Sequence, residues 1–551
     1  MKLDNILIII GEFGLYQKYV YLLVCLSSMY MGLYAVMSVI FLNTPDHRCK
    51  IPDLGNDTYD IKSASHQNLV NNYIPPASGD DTHDYDQCHL YSFNYNDVMF
   101  DNSSRPINAS IIECTEWVYS GVVFKETYTS KLNIVCGKKH LTSFIKSLFF
   151  VGKLVGALVF GNLSDAVGRK TTLCIALVMM FGLSFGMTWS SSSFIIYAVL
   201  MTLIGAATQG IFPVGFVLGV ELVGPSKRKY AGIVIEFFFA SGLMALAGIS
   251  YLVRHWYYIS IICSTPPVLF LLYWWLIPES LRWLISKRKY EEANTIIQKA
   301  AKVNKVKLEK NVFEDEDDST EPEPSGRMWH LFSSRVLLLR TLVILFNWCI
   351  VAMIYYGLSL NAGNLGGNFF VNMFLSGLVE IPANIIALLL LDRIGRKKTY
   401  FFSMMFGGCA CVSTILPILY GEKENQTIIL VLAMLGKFGV SAAFNTMYFF
   451  STELYPTVVR NAGLGASSCA SRFGGIAAPY IADSAALIGG MVGKVFPLGV
   501  FGALAIIAGL TSLHLPETLN KALPETIEDG IQFGKRQEID KSTSHELEEC
   551  L

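Results

Sequence analysis

The sequence predicts an all-α membrane protein of about twelve helices arranged as two halves. Of its 551 residues, 52% are apolar and only 16% are charged, which is too little charge for several soluble domains. The apolar residues are concentrated in runs of roughly 20, the length that crosses ~30 Å of hydrocarbon. Acidic and basic motifs also recur in the same order in both halves of the chain, which indicates an internal duplication.

Twelve apolar runs are long enough to be membrane spans. A shorter apolar run near the N-terminus is interrupted by Glu12 and followed by Lys18, so it is interpreted as an amphipathic lead-in and not as a cleavable signal peptide. The eleventh span is rich in Gly, Ala and Ser and has the weakest apolar pattern. The predicted spans are residues 20–42, 142–163, 171–190, 195–220, 231–252, 258–277, 337–359, 368–391, 400–419, 427–451, 462–487 and 495–514.

Basic residues after alternate spans predict the orientation of the chain. Arg169, Arg228 and Arg396 belong to basic clusters on one side, whereas the short loops 191–194 and 360–367 on the other side contain no Lys or Arg. Because basic loops are retained in the cytoplasm, both termini are predicted to be cytoplasmic. We expect a multi-pass protein of the plasma membrane, with the lipid bilayer around its spans.

The long loop 43–141 is then predicted to lie outside the cell. It contains three N-x-Ser/Thr sequons, at Asn56, Asn102 and Asn108, and is therefore expected to be glycosylated. Four of the twelve cysteines lie in the same loop and predict two disulfides, with all three pairings left open. No Cys or His spacing in the chain is typical of a metal site. The four loop cysteines are Cys49, Cys88, Cys114 and Cys136.

The chain divides into five parts. Within the linker between the halves, residues 284–307 have a helical pattern, and the acidic stretch 314–326 is expected to be disordered, as is the polar tail after 529. The parts are the cytoplasmic N-terminus 1–19, the first six-helix half 20–277, which includes the external loop, the charged linker 278–336, the second half 337–515 and the cytoplasmic tail 516–551.

Three pairs of acidic motifs recur at nearly constant separation. The acidic residues of the three pairs are 227, 232 and 238 residues apart, so the two six-helix halves are predicted to run in parallel. We expect these motifs to gate the path, through charge-assisted bonds across the interface between the halves that break when the cytoplasmic side opens. The predicted gating residues are Asp165, Arg169, Glu221, Asp392, Arg396, Glu453 and Arg460, with Glu279 and Glu517 as the third acidic pair.

The motif Asp-x-x-Gly-Arg-Lys at 165–170 resembles the signature of the major facilitator superfamily. Segments 44–49, 131–136, 278–284 and 452–461 are similar to the organic ion transporter family, which includes organic cation, carnitine and organic anion carriers. This resemblance implies the major facilitator fold, with two halves that rock about a site near the middle of the membrane. The segments most similar to the carnitine-type branch are 277–286, 296–304, 356–360 and 436–444.

Ionisable side chains within spans are costly, so each needs a partner or a role. Glu236, with aromatic neighbours, is predicted to attract a cationic head group, with a structural pair to Lys153 or to another base as the alternative. Arg472 occupies a position where the resemblance implies an Arg in the carnitine and anion branches, and it can hold a carboxylate or a chloride ion. The ionisable candidates within spans are Lys153, Glu236, Glu380, Lys437, Arg472 and Asp483.

Aromatic and amide side chains are expected to complete the site. Ring faces hold a quaternary ammonium at ~0.5–2 kcal/mol each. Trp348 and Tyr355 are seven residues apart and therefore share one face of their helix. Tyr34 forms an i,i+4 pair with Tyr30 in the first span. The predicted site consists of Arg472, Glu236, Lys153, Trp348, Tyr355, Tyr356, Tyr448, Tyr34, Gln209 and Asn445.

The sequence thus predicts a secondary transporter of small organic cations and zwitterions such as carnitine. An organic anion exchanger is the alternative, and a membrane-embedded enzyme is a remote one, because no catalytic set is evident among nine His and the carboxylates of the spans. A net charge of −1 argues against nucleic acid as a partner. We expect no cofactor other than Na⁺ or Cl⁻ as a coupling ion, and function as a monomer, with an oligomer as the other option.

Overall fold

The computed structural model of this protein is built almost entirely from helices. It describes residues 3–52, 54–77, 85–92, 109–190, 193–308, 313, 328–421, 426–488 and 490–534. The helices up to the linker are α1 (Leu3–Ile9), α2 (Leu15–Ala35), α3 (Met37–Phe41), α4 (Ala64–Tyr73), α5 (Tyr128–Lys131), α6 (His140–Val167), α7 (Arg169–Thr188), α8 (Phe194–Glu221), α9 (Arg228–Val253), α10 (Trp256–Ser264), α11 (Pro267–Phe270) and α12 (Tyr273–Leu276).

The linker and the second half continue the same pattern. Two short helices fill the first part of the linker, and one short helix follows the last span. These helices are α13 (Leu281–Ser286), α14 (Tyr290–Asn304), α15 (Arg335–Asn361), α16 (Phe369–Leu378), α17 (Glu380–Ile394), α18 (Arg396–Ser413), α19 (Ile415–Tyr420), α20 (Gln426–Leu454), α21 (Arg460–Ala482), α22 (Ser484–Ile488), α23 (Gly490–Ser512) and α24 (Ile527–Gln532).

Each predicted span coincides with a long helix or with a helix broken into consecutive pieces. Of the described helices, eleven are long and apolar enough to cross a membrane. The remaining predicted span, the eleventh in chain order, is α21; its Gly, Ala and Ser residues make it less apolar than the others, yet it packs tightly in the bundle. A Cβ on Gly474 of α21 would meet the backbone carbonyl of Cys349 on α15. The small residues of α21 therefore allow close helix packing, and they also lower the mean hydropathy of this span.

The bundle has two ends. We refer to the end that carries the described parts of residues 43–139 as the loop face. The opposite end, which carries α1 and the linker helices α13 and α14, is the termini face. At the termini face, Asp4 of α1 forms ion pairs with Arg228 and Arg282, so the N-terminal helix is attached to the start of α9 and to the linker.

Two expectations about the linker and the tail are corrected. The helical pattern at 284–307 is interrupted between α13 and α14, where Arg288 adopts a left-handed conformation with φ 58°. The tail is not irregular from residue 529, because α24 ends at Gln532 and Arg340 donates a hydrogen bond of 2.6 Å to the carbonyl of Gly530. The acidic stretch 314–326 and residues 535–551 lie outside the described residues.

The segment at the loop face forms two small antiparallel sheets. Strand β1 (His47–Cys49) pairs with β4 (Trp117–Tyr119), and β2 (His89–Ser92) pairs with β3 (Ser110–Glu113). The structure pairs Cys49 with Cys114 and Cys88 with Cys136, with Cα atoms 5.7 and 5.6 Å apart. Asn56 is exposed, whereas the sequons at Asn102 and Asn108 lie outside the described residues.

A buried ion pair holds the first part of this segment together. Arg48 Nη1 and Nη2 donate to the two carboxylate oxygens of Asp57 at 2.9 and 2.6 Å, and the side chains are 3% and 0% exposed. Burial disfavours the charged form of Asp57. The hydrogen bonds from Arg48 and from the Ile51 amide outweigh burial and hold the pKa of Asp57 below its ordinary value. The pair therefore stabilises the loop at neutral pH and is lost as the pH falls through that lowered pKa.

The duplicated motifs build the same polar turn twice at the termini face. In the first half, Glu279 accepts hydrogen bonds from the backbone amides of Arg169 and Lys170, at the start of α7. In the second half, Glu517 accepts one from the amide of Arg396, at the start of α18. A carboxylate at a helix N-terminus satisfies free N–H groups and favours the helix dipole.

A glycine precedes each of these capped helices. Gly168 and Gly395 have φ of 105° and 94°, a region that disfavours other residues. A Cβ at either position would also collide with the carboxylate of Glu279 or Glu517. The Gly of each motif is thus required by the backbone conformation and by the capping carboxylate together.

We predict that Gly168→Ala destabilises the protein by about 1–3 kcal/mol, since it strains a left-handed turn and displaces Glu279. Gly182→Ala is the matched control, because Gly182 lies in α7 with open space where its Cβ would be. Thermal unfolding of the purified protein in detergent measures both. Equal stability of the two variants would contradict the role given to Gly168.

We further predict that Asp57→Asn loosens the loop segment by about 3–5 kcal/mol, because the buried Arg48 loses its carboxylate. Limited proteolysis of the purified protein at neutral pH measures this effect. Asp60→Asn, at an exposed position, serves as the control. The difference between parent and Asp57→Asn should shrink as the pH falls through the lowered pKa of Asp57, and a constant difference would refute the charge-based account.

Candidate substrate cavity between the two halves

A cavity of about 300 Å³ lies at the centre of the bundle between the two halves. Helices α2, α6, α8 and α9 of the first half line it, together with α15, α17, α20 and α21 of the second half. The cavity reaches Gly232, one turn from the start of α9 at the termini face, and Leu464, one turn from the start of α21. Towards the loop face it ends near Phe149, about two and a half turns into α6.

Nine of the ten predicted site residues line this cavity. Tyr34 does not, and this prediction is corrected. Met31 and Ala35 of α2 face the cavity, whereas Tyr34 is buried against Tyr30, with ring centroids 5.1 Å apart. The pair therefore packs on a different face of the helix. The nine lining residues are Lys153, Gln209, Glu236, Trp348, Tyr355, Tyr356, Asn445, Tyr448 and Arg472.

Glu236 on α9 is a carboxylate without a protein partner. It lines the cavity and makes no hydrogen bond or ion pair with any other described residue. Glu236 and Lys153 do not form an ion pair in the structure, so the alternative of a structural pair with Lys153 is wrong. Phe239, one turn further along α9, and Tyr448 on α20 also line the cavity. A negative charge among aromatic rings suits a cationic head group.

Arg472 on α21 reaches across the interface between the halves. Its Nη2 donates a hydrogen bond of 3.0 Å to Oε1 of Gln209 on α8. The Arg472 Nε is buried and has no hydrogen-bond partner among the described residues. The guanidinium thus keeps a donor for a ligand, and Gln209 fixes its direction. A carboxylate is the anion that suits such a planar set of donors.

Lys153 on α6 is surrounded by rings. Its Nζ lies 4.9 Å from the ring centroid of Phe149, 5.4 Å from that of Phe150 and 4.8 Å from that of Tyr356. It forms no ion pair with any described residue. Cation–π contacts stabilise an ammonium without neutralising it, so Lys153 adds a second positive charge to the cavity.

The aromatic residues of the second half form one connected wall. The indole N–H of Trp348 donates to Ser451 at 2.8 Å, which fixes the ring. The Trp348 ring lies 5.7 Å from Phe444 and 6.1 Å from Tyr448, measured between centroids. Tyr355 continues the wall at 5.2 Å from Phe444. The seven-residue spacing of Trp348 and Tyr355 does place both side chains on the cavity.

Two candidate charges neutralise each other at the cavity wall. Lys437 Nζ lies 3.0 Å from Oε1 of Glu380, and both side chains are at most 5% exposed. The Tyr355 hydroxyl donates to the same Glu380 oxygen at 2.9 Å, and Lys437 donates to Ser376 at 2.6 Å. Glu380 and Lys437 are one ion pair within the second half. Sequence reasoning named both residues but missed the pair and also missed Asn384, which accepts a hydrogen bond from Asn445.

The predicted gating residues mostly form contacts within one half. Arg169 lies 2.9 Å from Asp165 and 3.8 Å from Glu221, and Arg396 lies 2.9 Å from Glu453. The expectation that these acids and bases bond across the interface is therefore corrected. Each Arg sits beside acids of its own half because the capped turn holds it there.

Two gating candidates remain. Arg460 donates to Thr457 at 3.1 Å, a neighbour in its own half. Asp392, at the end of α17, instead pairs with Lys229 of α9 and so joins the two halves at the termini face.

Comparisons with known proteins agree with this architecture. The family model described as "Sugar (and other) transporter" matches residues 90–529. The "Organic cation transporter protein" of Drosophila melanogaster is 37% identical over 547 residues, 97% of this chain and 96% of that protein. The human "Organic cation/carnitine transporter 2" is 34% identical over 554 residues, 98% of this chain and 96% of that protein. The chain belongs to the organic ion transporters of the major facilitator superfamily.

Solved structures of major facilitator proteins share the fold of this organic ion transporter. The proton:xylose symporter XylE bound to 6-bromo-6-deoxy-D-glucose superposes with a TM-score of 0.58 at 16% identity, covering 93% of this chain and 98% of that chain. The predicted fold class is thereby confirmed. The protein is a transporter and not an enzyme.

We predict that the two members of the buried pair, Glu380 and Lys437, are energetically coupled in the stability of this transporter. Glu380→Gln or Lys437→Met alone should each cost about 3–5 kcal/mol, because the remaining charge has no partner. The double variant should cost clearly less than the sum of the single variants. Thermal unfolding in detergent compares the stability of the parent, the two single variants and the double variant. Lys299→Met, on the exposed side of α14, controls for loss of a lysine. Additive single effects would show that the two residues are not coupled.

Proposed function

We propose that this transporter carries small organic cations and zwitterions, above all carnitine-like betaines, across the plasma membrane by alternating access. The observation that supports this proposal most strongly is that one cavity contains an acid without a partner, Glu236, and an Arg with a free donor, Arg472. A betaine has one quaternary ammonium and one carboxylate. The ammonium suits Glu236 and the aromatic wall, and the carboxylate suits Arg472.

The names of the relatives support the same substrate class. Two of them are an organic cation transporter protein and an organic cation/carnitine transporter. We infer that the loop face is extracellular and glycosylated at its sequons, that both termini are cytoplasmic and that the monomer transports. This orientation places the basic turns at Arg169 and Arg396 in the cytoplasm, in agreement with the positive-inside rule.

An organic anion is the second candidate, because Lys153 and Arg472 are two bases against the single unpaired Glu236. The same excess of positive charge makes Cl⁻ a reasonable coupling ion, with Na⁺ the other option. If the substrate is an organic anion, Arg472 is its main binding residue and Glu236 takes no part in binding.

The decisive measurement is the uptake of labelled carnitine, a permanent organic cation and a dicarboxylate into cells that express this chain. We expect saturable carnitine uptake. Arg472→Ala should raise the carnitine KM by about tenfold or more, because a hydrogen bond to a charged group contributes about 1.5–3 kcal/mol. Glu236→Gln should weaken the binding of both carnitine and the organic cation. Assays without Na⁺ and without Cl⁻ identify the coupling ion.

Two matched controls accompany these variants. Arg393→Ala and Glu291→Gln remove an exposed Arg and an exposed Glu that lie outside the cavity, and both should leave the KM unchanged. Dicarboxylate uptake alone would assign the protein to the anion carriers. Cation uptake that does not respond to Arg472→Ala would remove the zwitterion from the proposal.

A further inference from the structure

An ion pair joins the two halves at the loop face. Lys146 Nζ on α6 lies 2.8 and 2.9 Å from the two carboxylate oxygens of Asp483, which directly follows α21. Ser143, one turn before Lys146, donates to the same carboxylate at 2.8 Å. Lys146 and Asp483 are both buried, and they belong to different six-helix halves.

Further contacts between α6 and α21 follow this pair along the two helices towards the central cavity. Below it, Ser147 of α6 donates to the carbonyl of Ile476 on α21 at 2.8 Å. Further in, Phe150 lies against Gly475, so closely that a Cβ on this glycine would collide with the ring. The central cavity begins only at the level of Phe149 and Arg472. Helices α6 and α21 therefore form a plug between the cavity and the loop face.

A second cavity of about 180 Å³ lies on the other side of this plug. It is lined by Pro45 and Asp46 of the loop segment, by Gln87 and by Asn364, which lies three residues after the end of α15. Lys146 and Asp483 also line it. The ion pair thus stands between a polar vestibule at the loop face and the central cavity.

An ion pair is suited to a contact that must open and close. When two apolar surfaces separate, both become exposed to water, and no new interaction offsets the lost hydrophobic stabilisation. When Lys146 and Asp483 separate next to a polar vestibule, water enters and hydrates both charges, which offsets most of the lost attraction. The Glu380–Lys437 pair differs, because it lies within one half and does not separate when the halves rock.

We propose that Lys146 and Asp483 form the outer gate of the transport path. The pair holds α6 and α21 together while the cavity is closed at the loop face, and it breaks when the cavity opens there. The Lys229–Asp392 pair at the termini face is its counterpart on the opposite side of the cavity. Loss of either pair biases the protein towards opening on the side where the pair was lost.

The test is the accessibility of one thiol in the central cavity. Ser468 of α21 lines the cavity on the termini side of Arg472, and Ser468→Cys is a small change. Intact cells are treated with a membrane-impermeant thiol reagent from outside, and the labelling rate is measured without substrate. The chain without this substitution gives the background from its native cysteines, and surface biotinylation corrects for expression.

Lys146→Met and Asp483→Asn should each accelerate labelling by about fivefold or more, since couplings of this kind typically shift equilibria by at least that factor. Lys146→Arg keeps the pair and should label at the parent rate. The charge swap Lys146→Asp with Asp483→Lys should bring the rate back towards that of the parent. Lys229→Met should slow labelling, because it favours opening at the opposite face.

Two results would contradict the proposal that this ion pair is a gate. Labelling within about twofold of the parent in both neutralised variants would show that the pair does not hold the path closed. Fast labelling in the single variants, in the charge swap and in Lys146→Arg alike would show that packing, and not the ion pair, keeps the path closed at the loop face. If Lys146→Met does not reach the surface, Lys146→Gln replaces it. Since no substrate is used, these results are independent of the uptake assays and rest only on the proposed orientation, in which the loop face is extracellular.

Discussion

Hydrocarbon does not solvate charge, so an ionisable side chain within a membrane span must have a partner, water or a ligand. In this protein that constraint separates structural from functional residues. Glu380 and Lys437 satisfy each other inside one half, and Lys146 and Asp483 satisfy each other across the two halves. Of the six ionisable candidates within the spans, the three without an ionic partner among the described residues are Lys153, Glu236 and Arg472, and all three face the central cavity.

Those remaining charges come from both halves. Glu236 and Lys153 belong to the first half, whereas Arg472 belongs to the second and takes its direction from Gln209 of the first. A site assembled in this way has its binding geometry only when the halves are correctly aligned. Transport requires the site to change its accessibility while it retains the ligand, and a site shared between two halves that can move relative to each other meets that requirement.

The duplicated turns connect helices within each half. Glu279 and Glu517 cap equivalent helices, Gly168 and Gly395 allow the chain to turn before them, and Arg169 and Arg396 bond to acids of the same half. These contacts tie spans to one another within a half. Apart from the Arg472–Gln209 hydrogen bond in the cavity, the polar contacts described between the halves lie towards the ends of the bundle, where water can replace them when the halves separate.

The sequence by itself determined the number of spans, the duplication and the family, because hydrocarbon thickness fixes the run length and the repeated motifs are local in sequence. It also identified nine cavity residues, since unpaired charges and aromatic pairs are unusual within spans. Tyr34 was placed wrongly because an i,i+4 spacing gives one helix face but not the neighbour of that face.

Only the tertiary structure decided which charges are paired. Lys146 and Asp483 are 337 residues apart, and nothing local in either segment indicates that they meet. The same holds for Arg396, whose partner proved to be Glu453 of its own half. A pairing depends on the distance and burial that packing creates between remote helices, and these quantities do not exist until the helices are assembled.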